Sequence, residues 1–454
     1  DLAKFNIYMN GKNEKLQPAL ALAPALFTMQ PSGTLYKSMV ETGISTAVQS
    51  TTWLDQDFNV VFMGAIYAPN HDAKKVGDAL VDGVENSKTF TDAELQRIKN
   101  ITQNTADTIA NDAVALGSRL SDYAVSSHGQ WDEYFRDLEA IQNLKLEDAN
   151  QTLKQFLVAS HRISGEILPT PEDQKKAITL KAEDKPKTLD QNTEQAEPLK
   201  DPSVYQQEVK QFIEQSAQQL QKNEKKIQRG ELKNGIRYAL FPTPTRDDKT
   251  YATISLDFGN EKSLFGKGVT LDLTSYLMLR GSEKHTLQEI TDKAIAASGG
   301  ASVSSNGNGM TIVVQAKKDK FEDFLSFIID VIKQPKFSQS EFDLAKNQSL
   351  SALDRPYTEP AIVSSMTLAR LLETYQPGDL RYHFEPELAK QQLKDATQSQ
   401  VKQFYDQFFM TNHAQIAVTG DFDAIKMQKT LENAFGKWKT KQPYQKIVTP
   451  FVAF

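Results

Sequence analysis

Six histidines are the first place to look for chemistry, because paired imidazoles are the commonest way to hold a catalytic metal. They are His71, His128, His161, His285, His383 and His413. No two stand at metal-ligand spacing, and no His-Glu-x-x-His occurs. Asp421 and Asp423 form a carboxylate pair in Gly-Asp-Phe-Asp, for which a structural role is the simpler reading. Gly-x-Ser-x-Gly is absent, so no nucleophile elbow is encoded. The glycine-rich Asn306-Gly-Asn-Gly309 falls in a hairpin turn, not between a strand and a helix, and makes a poor phosphate loop. Without a cysteine the chain has no thiolate nucleophile, thiolate metal site or disulfide.

Composition bounds the rest. The chain has 454 residues, 39% of them hydrophobic, enough for two or three cores. Charged residues make up 24% and the net charge is -6, with no basic stretch, which argues against nucleic acid as a partner. No apolar run is long enough to span a bilayer. The chain opens at Asp1 without a Met, which reads as a trimmed start, so the lack of a signal peptide carries no information.

These residues need elements to hold them. The spacing of apolar residues predicts helices over Gly33–Glu41, Asp72–Glu85, Ala113–Val125, Trp131–Asn143 and Leu146–Val158. Thr91-Asp-Ala-Glu94 is a capping box at the start of another. Phe58–Tyr67 reads as a strand, as does Arg162–Leu168. Leu16–Met29 is apolar but short and broken by Pro18 and Pro24. Pro169–Pro202 holds Pro169, Pro171, Pro186, Pro198 and Pro202 with few large apolar residues, and reads as a linker. A polar helix over Tyr205–Lys226 follows as a solvated connector. Beyond it, strands are expected at Ile236–Phe241, Ala252–Phe258 and Ala414–Thr419, with a hairpin of Ala301–Ser305 and Met310–Ala316. Helices are expected at Val269–Leu279, Leu287–Ala297, Lys320–Ile332, Gln339–Leu353, Ile362–Glu373, Val401–Phe408 and Ile425–Phe435. The class is α+β, helices on mostly antiparallel sheets.

An ordered series of motifs then resembles the M16 (pitrilysin/insulinase-like) zinc metallopeptidases. In the second part these are ELKNGIRYALFPTPT, ISLDFGN, GVTLDLTSYLMLRGSEKHT, ASGGASVSSNGNGMTIVVQA, IIDVIKQPKFSQSEFDLAKNQSL and MTNHAQIAVTGDFD. In the first part they are SGTLYKSMVETGIST, FTDAELQRIKN and LKLEDANQTLKQFLVASHRISGEILP. The resemblance implies an internal fragment carrying the second and third of four similar domains. Residues 1–169 would be a C-terminal-type domain of the first half, 170–228 a linker with a polar helix, and 229–454 an N-terminal-type domain of the second half. Each would be a LuxS/metallohydrolase-like layer.

Active members carry an inverted His-x-x-Glu-His motif, two ligands and a general base, with a Glu ligand on a later helix. Aligned on the trailing Arg-Gly-Ser, the motif falls on Asp272-Leu-Thr-Ser-Tyr276. Asp272 and Tyr276 replace the histidines and Ser275 the Glu, and Phe342–Asp354 holds no Glu. An Arg and a Tyr that hold peptide backbone in the family fall on Met39 and Thr46. The resemblance therefore implies no catalytic, metal or cofactor residues in this segment, with zinc in a missing first domain of the parent. The implied role is a non-catalytic part of a peptide-enclosing chamber, with peptide or unfolded polypeptide and the parent's other M16 domains as partners, in the periplasm. The competing readings are an M16-like scaffold or partner subunit without peptidase activity, and an unrelated module that shares only α+β layering. Whether it forms a homodimer is left open.

Overall fold

A computed structural model of the chain describes residues 2–11, 13–54, 57–69, 71–87, 89–169, 201–354, 357 and 359–450. Most of the stretch read as a linker, residues 170–200, lies outside the described residues. Asp1–Ile167 and Arg229–Phe454 form one compact unit, and Leu168–Gln228 a second.

The first segment of the larger unit runs β1 (Leu2–Gly11), α1 (Gln17–Thr28), β2 (Ala47–Leu54), β3 (Phe58–Tyr67), α2 (Ala73–Glu85), α3 (Asp92–Ala110), α4 (Ala113–Ser126), α5 (Glu133–Asn143), α6 (Leu146–Phe156) and β4 (Arg162–Ile167). Its sheet has the order β2-β3-β1-β4, antiparallel throughout. Among the described residues helices cover one side. There Tyr8, Val61, Met63, Ala65 and Tyr67 pack on Leu20, Leu26, Leu80 and Leu153. Two inward positions of β1 are polar: Asn6 is buried and accepts from Ser164 Oγ at 2.7 Å, and Lys4 pairs with Glu166.

The capping box at Thr91 is formed. Thr91 Oγ1 accepts from Glu94 N at 3.3 Å, and Glu94 accepts from Thr91 N at 2.8 Å. Lys99 is buried, and its ammonium donates to the carbonyls of Gln142 (2.9 Å) and Leu144 (2.6 Å) at the end of α5. A buried cation is tolerated where it satisfies orphan helix carbonyls. The helix expected over Gly33–Glu41 is present but mostly in π geometry: Thr34–Leu35 are α-helical and Tyr36–Val40 form a π turn, closed by Glu41 N on Tyr36 O at 3.1 Å. A Cβ at Gly33 would lie 2.5 Å from Phe27 O, so only glycine lets this turn sit against the end of α1.

The smaller unit contains α7 (Pro202–Glu224), where the polar helix was expected, with no buried residue. The second segment runs β5 (Gln228–Glu231), β6 (Arg237–Pro242), β7 (Lys249–Asp257), α8 (Glu261–Leu264), α9 (Gly268–Leu277), α10 (Leu287–Ala296), β8 (Gly300–Ser305), β9 (Gly309–Lys317), α11 (Phe321–Lys333), α12 (Gln339–Leu353), α13 (Pro360–Leu371), α14 (Pro386–Asp395), α15 (Gln398–Phe408), β10 (Ala414–Gly420) and α16 (Ala424–Phe435). Its sheet order is β5-β6-β10-β7-β9-β8, with β6 and β10 parallel. Asn234-Gly235 makes the expected turn, with Gly235 at φ +93. Period-2 alternation turns Ala252, Ile254, Leu256, Ile312, Val314, Ile416 and Val418 inward, onto Leu271, Leu277, Phe324, Ile328 and Val401. The architecture is α+β, with antiparallel-rich sheets and helices packed on them.

Candidate functional site

α9 is the helix on which the degenerate motif falls. Its inner side buries Leu271, Leu273, Thr274, Ser275 and Leu277. Asp272 and Tyr276 are four residues apart, so they share the outer face, as two ligands would. The side chains present are committed elsewhere. Asp272 accepts from Ser305 Oγ at 2.5 Å, which ties α9 to the last residue of β8. Asp272 is open to water on one side, yet the protein crowded around its carboxyl raises its pKa; the Ser305 bond opposes this. Ser275 is buried and spends its one proton on Leu271 O at 2.9 Å, and a hydroxyl is far too weak a base to take a proton from water as a Glu would. The Arg280 guanidinium lies over the Tyr276 ring at 5.4 Å.

α12 starts at Gln339, as expected, and its first turn holds Glu341, which lies just before the Glu-free stretch Phe342–Asp354. The Glu341 carboxylate accepts from Arg280 Nε at 2.8 Å. A zinc ion does not fit this donor set. It would face the Asp272 carboxylate, which already holds Ser305, the Glu341 carboxylate, which already pairs with Arg280, and a guanidinium that repels it. Among the described residues no three His, Asp or Glu come together in a way that could hold a metal.

The histidines are not brought together. His71 spans Gly43 O (3.0 Å) and Ala68 O (3.3 Å), and His161 Nδ1 lies 2.9 Å from Phe156 O. His285 packs on Phe327 and His413 on Tyr444. His383 Nδ1 lies 2.8 Å from Glu373, whose carboxyl is held down to about 2 by N–H groups of His383, Tyr375 and Thr374. Asp421 pairs with Lys318 at 2.9 Å, and Asp423 caps α16 through Lys426 N. Met39 is buried within the π turn, and Thr46 Oγ1 donates to Ile66 O at 3.1 Å.

Open surfaces among the described residues include three of note. A groove of about 200 Å³ runs between α9 and α14, lined by Gly266, Val269, Asp272, Tyr382, His383 and Gln392. The uncovered face of the second sheet is polar, and Arg237, Thr253, Ser255 and Gln415 line a depression of about 650 Å³. The uncovered face of the first sheet is apolar. Register sets Trp53, Val60 and Met9 in one row, and Thr51, Phe62, Ile7 and Ile163 in the next. Phe5 stacks on Phe62 at 5.8 Å, and its ring fills the space above Gly165. Trp53, Ile163 and Ile167 are each more than half exposed. Sequence reading had not found this face, because it had not found β1 or β2.

The charge on Asp272 gives a test of this geometry. Its raised pKa means the folded state holds its proton more tightly than the unfolded chain. The ionised carboxylate thus costs stability at neutral pH, a cost relieved as pH falls through the raised pKa. Asp272→Asn keeps an acceptor for Ser305 and removes the charge. The variant is expected to be at least as stable as the parent at pH 7 in urea unfolding, with the advantage shrinking toward pH 4. A variant less stable at pH 7 would mean that the carboxylate is not strained there.

No helix of the described residues is long and apolar enough to cross a membrane. Residues 395–454 match the family model described as the peptidase M16 inactive domain. The chloroplastic stromal processing peptidase of Arabidopsis thaliana is 21% identical over 220 residues, 47% of this chain and 17% of that protein. This chain therefore spans a small part of that relative. The peptidase M16 inactive domain from Pseudomonas fluorescens superposes with a TM-score of 0.43 at 16% identity, over 50% of this chain and 54% of that one. The periplasmic protease PqqL from Escherichia coli gives 0.40 at 14% identity, over 97% of this chain and 50% of that one. The family likeness thus rests on residues 395–454, which are similar to the inactive domain of M16 peptidases.

Proposed function

We propose that this chain is a non-catalytic portion of a zinc-dependent M16 metalloendopeptidase and forms part of the wall of its peptide-enclosing chamber. The observation that carries this reading is α9. It presents two side chains one turn apart, as a motif helix does, but they are Asp272 and Tyr276, with Ser275 tied to its own helix. On this reading residues 1–169 are a C-terminal-type domain, 170–228 a linker, and 229–454 an N-terminal-type domain. Zinc and the general base belong to another domain of the parent, which acts in the periplasm. Peptide or unfolded polypeptide meets the apolar face of the first sheet and the polar face of the second. The edge strand β8, beside α9, offers backbone groups to an extended substrate.

The test is zinc content together with cleavage of a mixed peptide library by the purified chain. Expected are no stoichiometric zinc, no EDTA-sensitive cleavage, and binding of extended peptides. Stoichiometric zinc with EDTA-sensitive cleavage would overturn the assignment of Asp272–Tyr276. Neither cleavage nor peptide binding would leave the scaffold reading in its place.

A further inference from the structure

Four Asn-Gly pairs occur in the chain: Asn10-Gly11, Asn234-Gly235, Asn306-Gly307 and Asn308-Gly309. Such a pair carries a reaction of its own. The glycine amide nitrogen attacks the side-chain carbonyl carbon of the asparagine, and the new C–N bond closes a succinimide ring. The side-chain nitrogen leaves as ammonia, taking the proton that the glycine amide gives up. Water then opens the ring at either carbonyl, to aspartate or to isoaspartate. Glycine favours the step because no Cβ shields its nitrogen and its backbone turns most freely. The step needs a loose side chain, an unbonded glycine N–H and a backbone able to bring the two together.

The fold denies these conditions to three of the pairs. Asn10 and Gly11 lie within β1, in register with Asn59 and Phe58 of β3, and the Gly11 N–H donates to Asn10 Oδ1 at 2.8 Å. That nitrogen presents its proton to the side chain, not its lone pair. Asn234 Nδ2 donates to Phe435 O and to Trp438 O, both at 2.9 Å, while the Gly235 N–H is spent on Leu232 O at 2.9 Å. Asn308 is buried, and its Nδ2 donates to Phe258 O and Gln445 O, both at 3.2 Å. Gly309 is packed so closely that a Cβ there would lie 2.2 Å from Leu256 O.

Asn306-Gly307 meets all three. Both residues are exposed, in the turn between Ser305 of β8 and Gly309 of β9. Among the described residues the Gly307 N–H makes no backbone hydrogen bond. Gly307 stands at φ +53, and a Cβ built on it meets nothing within 4 Å. The Asn306 side chain is held by one bond, Nδ2 to Thr311 Oγ1.

We propose that Asn306 is a site of spontaneous deamidation, and that the fold confines the reaction to this one of the four pairs. Either product adds a carboxylate to a depression of about 650 Å³ that Arg237, Lys446 and Asp257 also line. Isoaspartate also reroutes the main chain of the turn through the former side chain. The reaction needs neither peptide nor zinc, so it stands or falls independently of the chamber reading.

The purified chain is incubated for days in mildly alkaline and in mildly acidic buffer, folded and in urea. Mass-spectrometric peptide mapping reads the acid at each asparagine, enzymatic methylation counts isoaspartate, and anion exchange separates the acidified chain. In the folded protein, acid is expected at Asn306 about tenfold or more faster than at the other three. Alkaline buffer should speed it, because the glycine nitrogen attacks as its anion. In urea the four pairs should react at similar rates, since the restraints are those of the fold. Gly307→Ala, for which there is room, should slow the reaction at Asn306 about tenfold or more. If alanine disturbs the turn, Asn306→Gln, whose longer side chain closes a ring poorly, should abolish the acidified form of the folded chain. An intact Asn306 in the folded protein after the urea sample has converted would overturn the proposal, as would acid at any of the other three pairs at the same rate.

Discussion

Phe258→Ala is expected to lower the stability of the second segment by about 3–5 kcal/mol, because it empties a large aromatic site that cannot collapse. Phe258 follows β7, is 1% exposed, and lies 5.8 Å from the Phe404 ring and 5.6 Å from the Phe408 ring of α15. It thereby fixes α15 to the sheet at the point where the Asp257 N–H donates to His413 O at 2.7 Å. Part of the loss is transfer of the ring and part is the cavity left under the aromatic cluster. Phe258→Leu refills most of the volume and should cost less than half as much. Trp438 reports the event directly, since it is 1% exposed and packs on Phe409 and Phe435 of the same core. The other core contains none of these residues, so the Ala variant should unfold in two steps. Urea titrations that follow Trp438 emission and circular dichroism separately would show this. A single transition at the parent's midpoint would mean that Phe258 does not hold this core.

The strand Phe58–Tyr67 was legible to its bounds, because β-branched and aromatic residues fill it and it lies inside its sheet. The hairpin of β8 and β9 and the capping box at Thr91 were equally plain, since local chemistry decides both. β1 was not found. Its inward positions include Lys4 and Asn6 while Phe5, Ile7 and Met9 point outward, so its polarity does not read as one buried face. α1 was hidden by Pro18 and Pro24, although Pro18 stands in the first turn, where its missing N–H costs nothing. β2 is an edge strand of mixed polarity, and the Tyr36–Val40 turn looks helical by spacing because a π turn differs by one residue.

Of the site, the identities at 272, 275 and 276 could be read from the sequence once the motif was aligned. Their partners could not. Ser305 lies 33 residues from Asp272, and Glu341 lies 61 from Arg280. Only the tertiary fold sets these pairs together. The contacts from Arg97 to Asp292 and from Arg280 to Tyr36 are more remote still, at 195 and 244 residues.

The inverted polarity of β1 leads to the second large expected effect. Four strands turn Phe5, Ile7, Met9, Trp53, Phe62 and Ile163 to an open face, where apolar contact with water is unfavourable and no helix among the described residues covers them. A face of this kind gains free energy from an extended polypeptide with bulky apolar side chains, about 1.5–3 kcal/mol for each large side chain it buries. Phe62→Ser combined with Ile163→Ser should therefore weaken binding of a fluorescent apolar peptide by about tenfold or more. The stability cost should stay near about 1 kcal/mol, chiefly the lost stack on Phe5, because neither residue belongs to the helix-covered core. Trp53, 6.4 Å from Phe62 and half exposed, should shift its emission when peptide binds to the parent. Gln415→Ala, on the polar face of the other sheet, is the matched control, and its effect should be smaller. If both variants bound the apolar peptide as the parent does, the first sheet would not be the surface that takes up substrate side chains, and the chamber reading would rest on the second sheet alone.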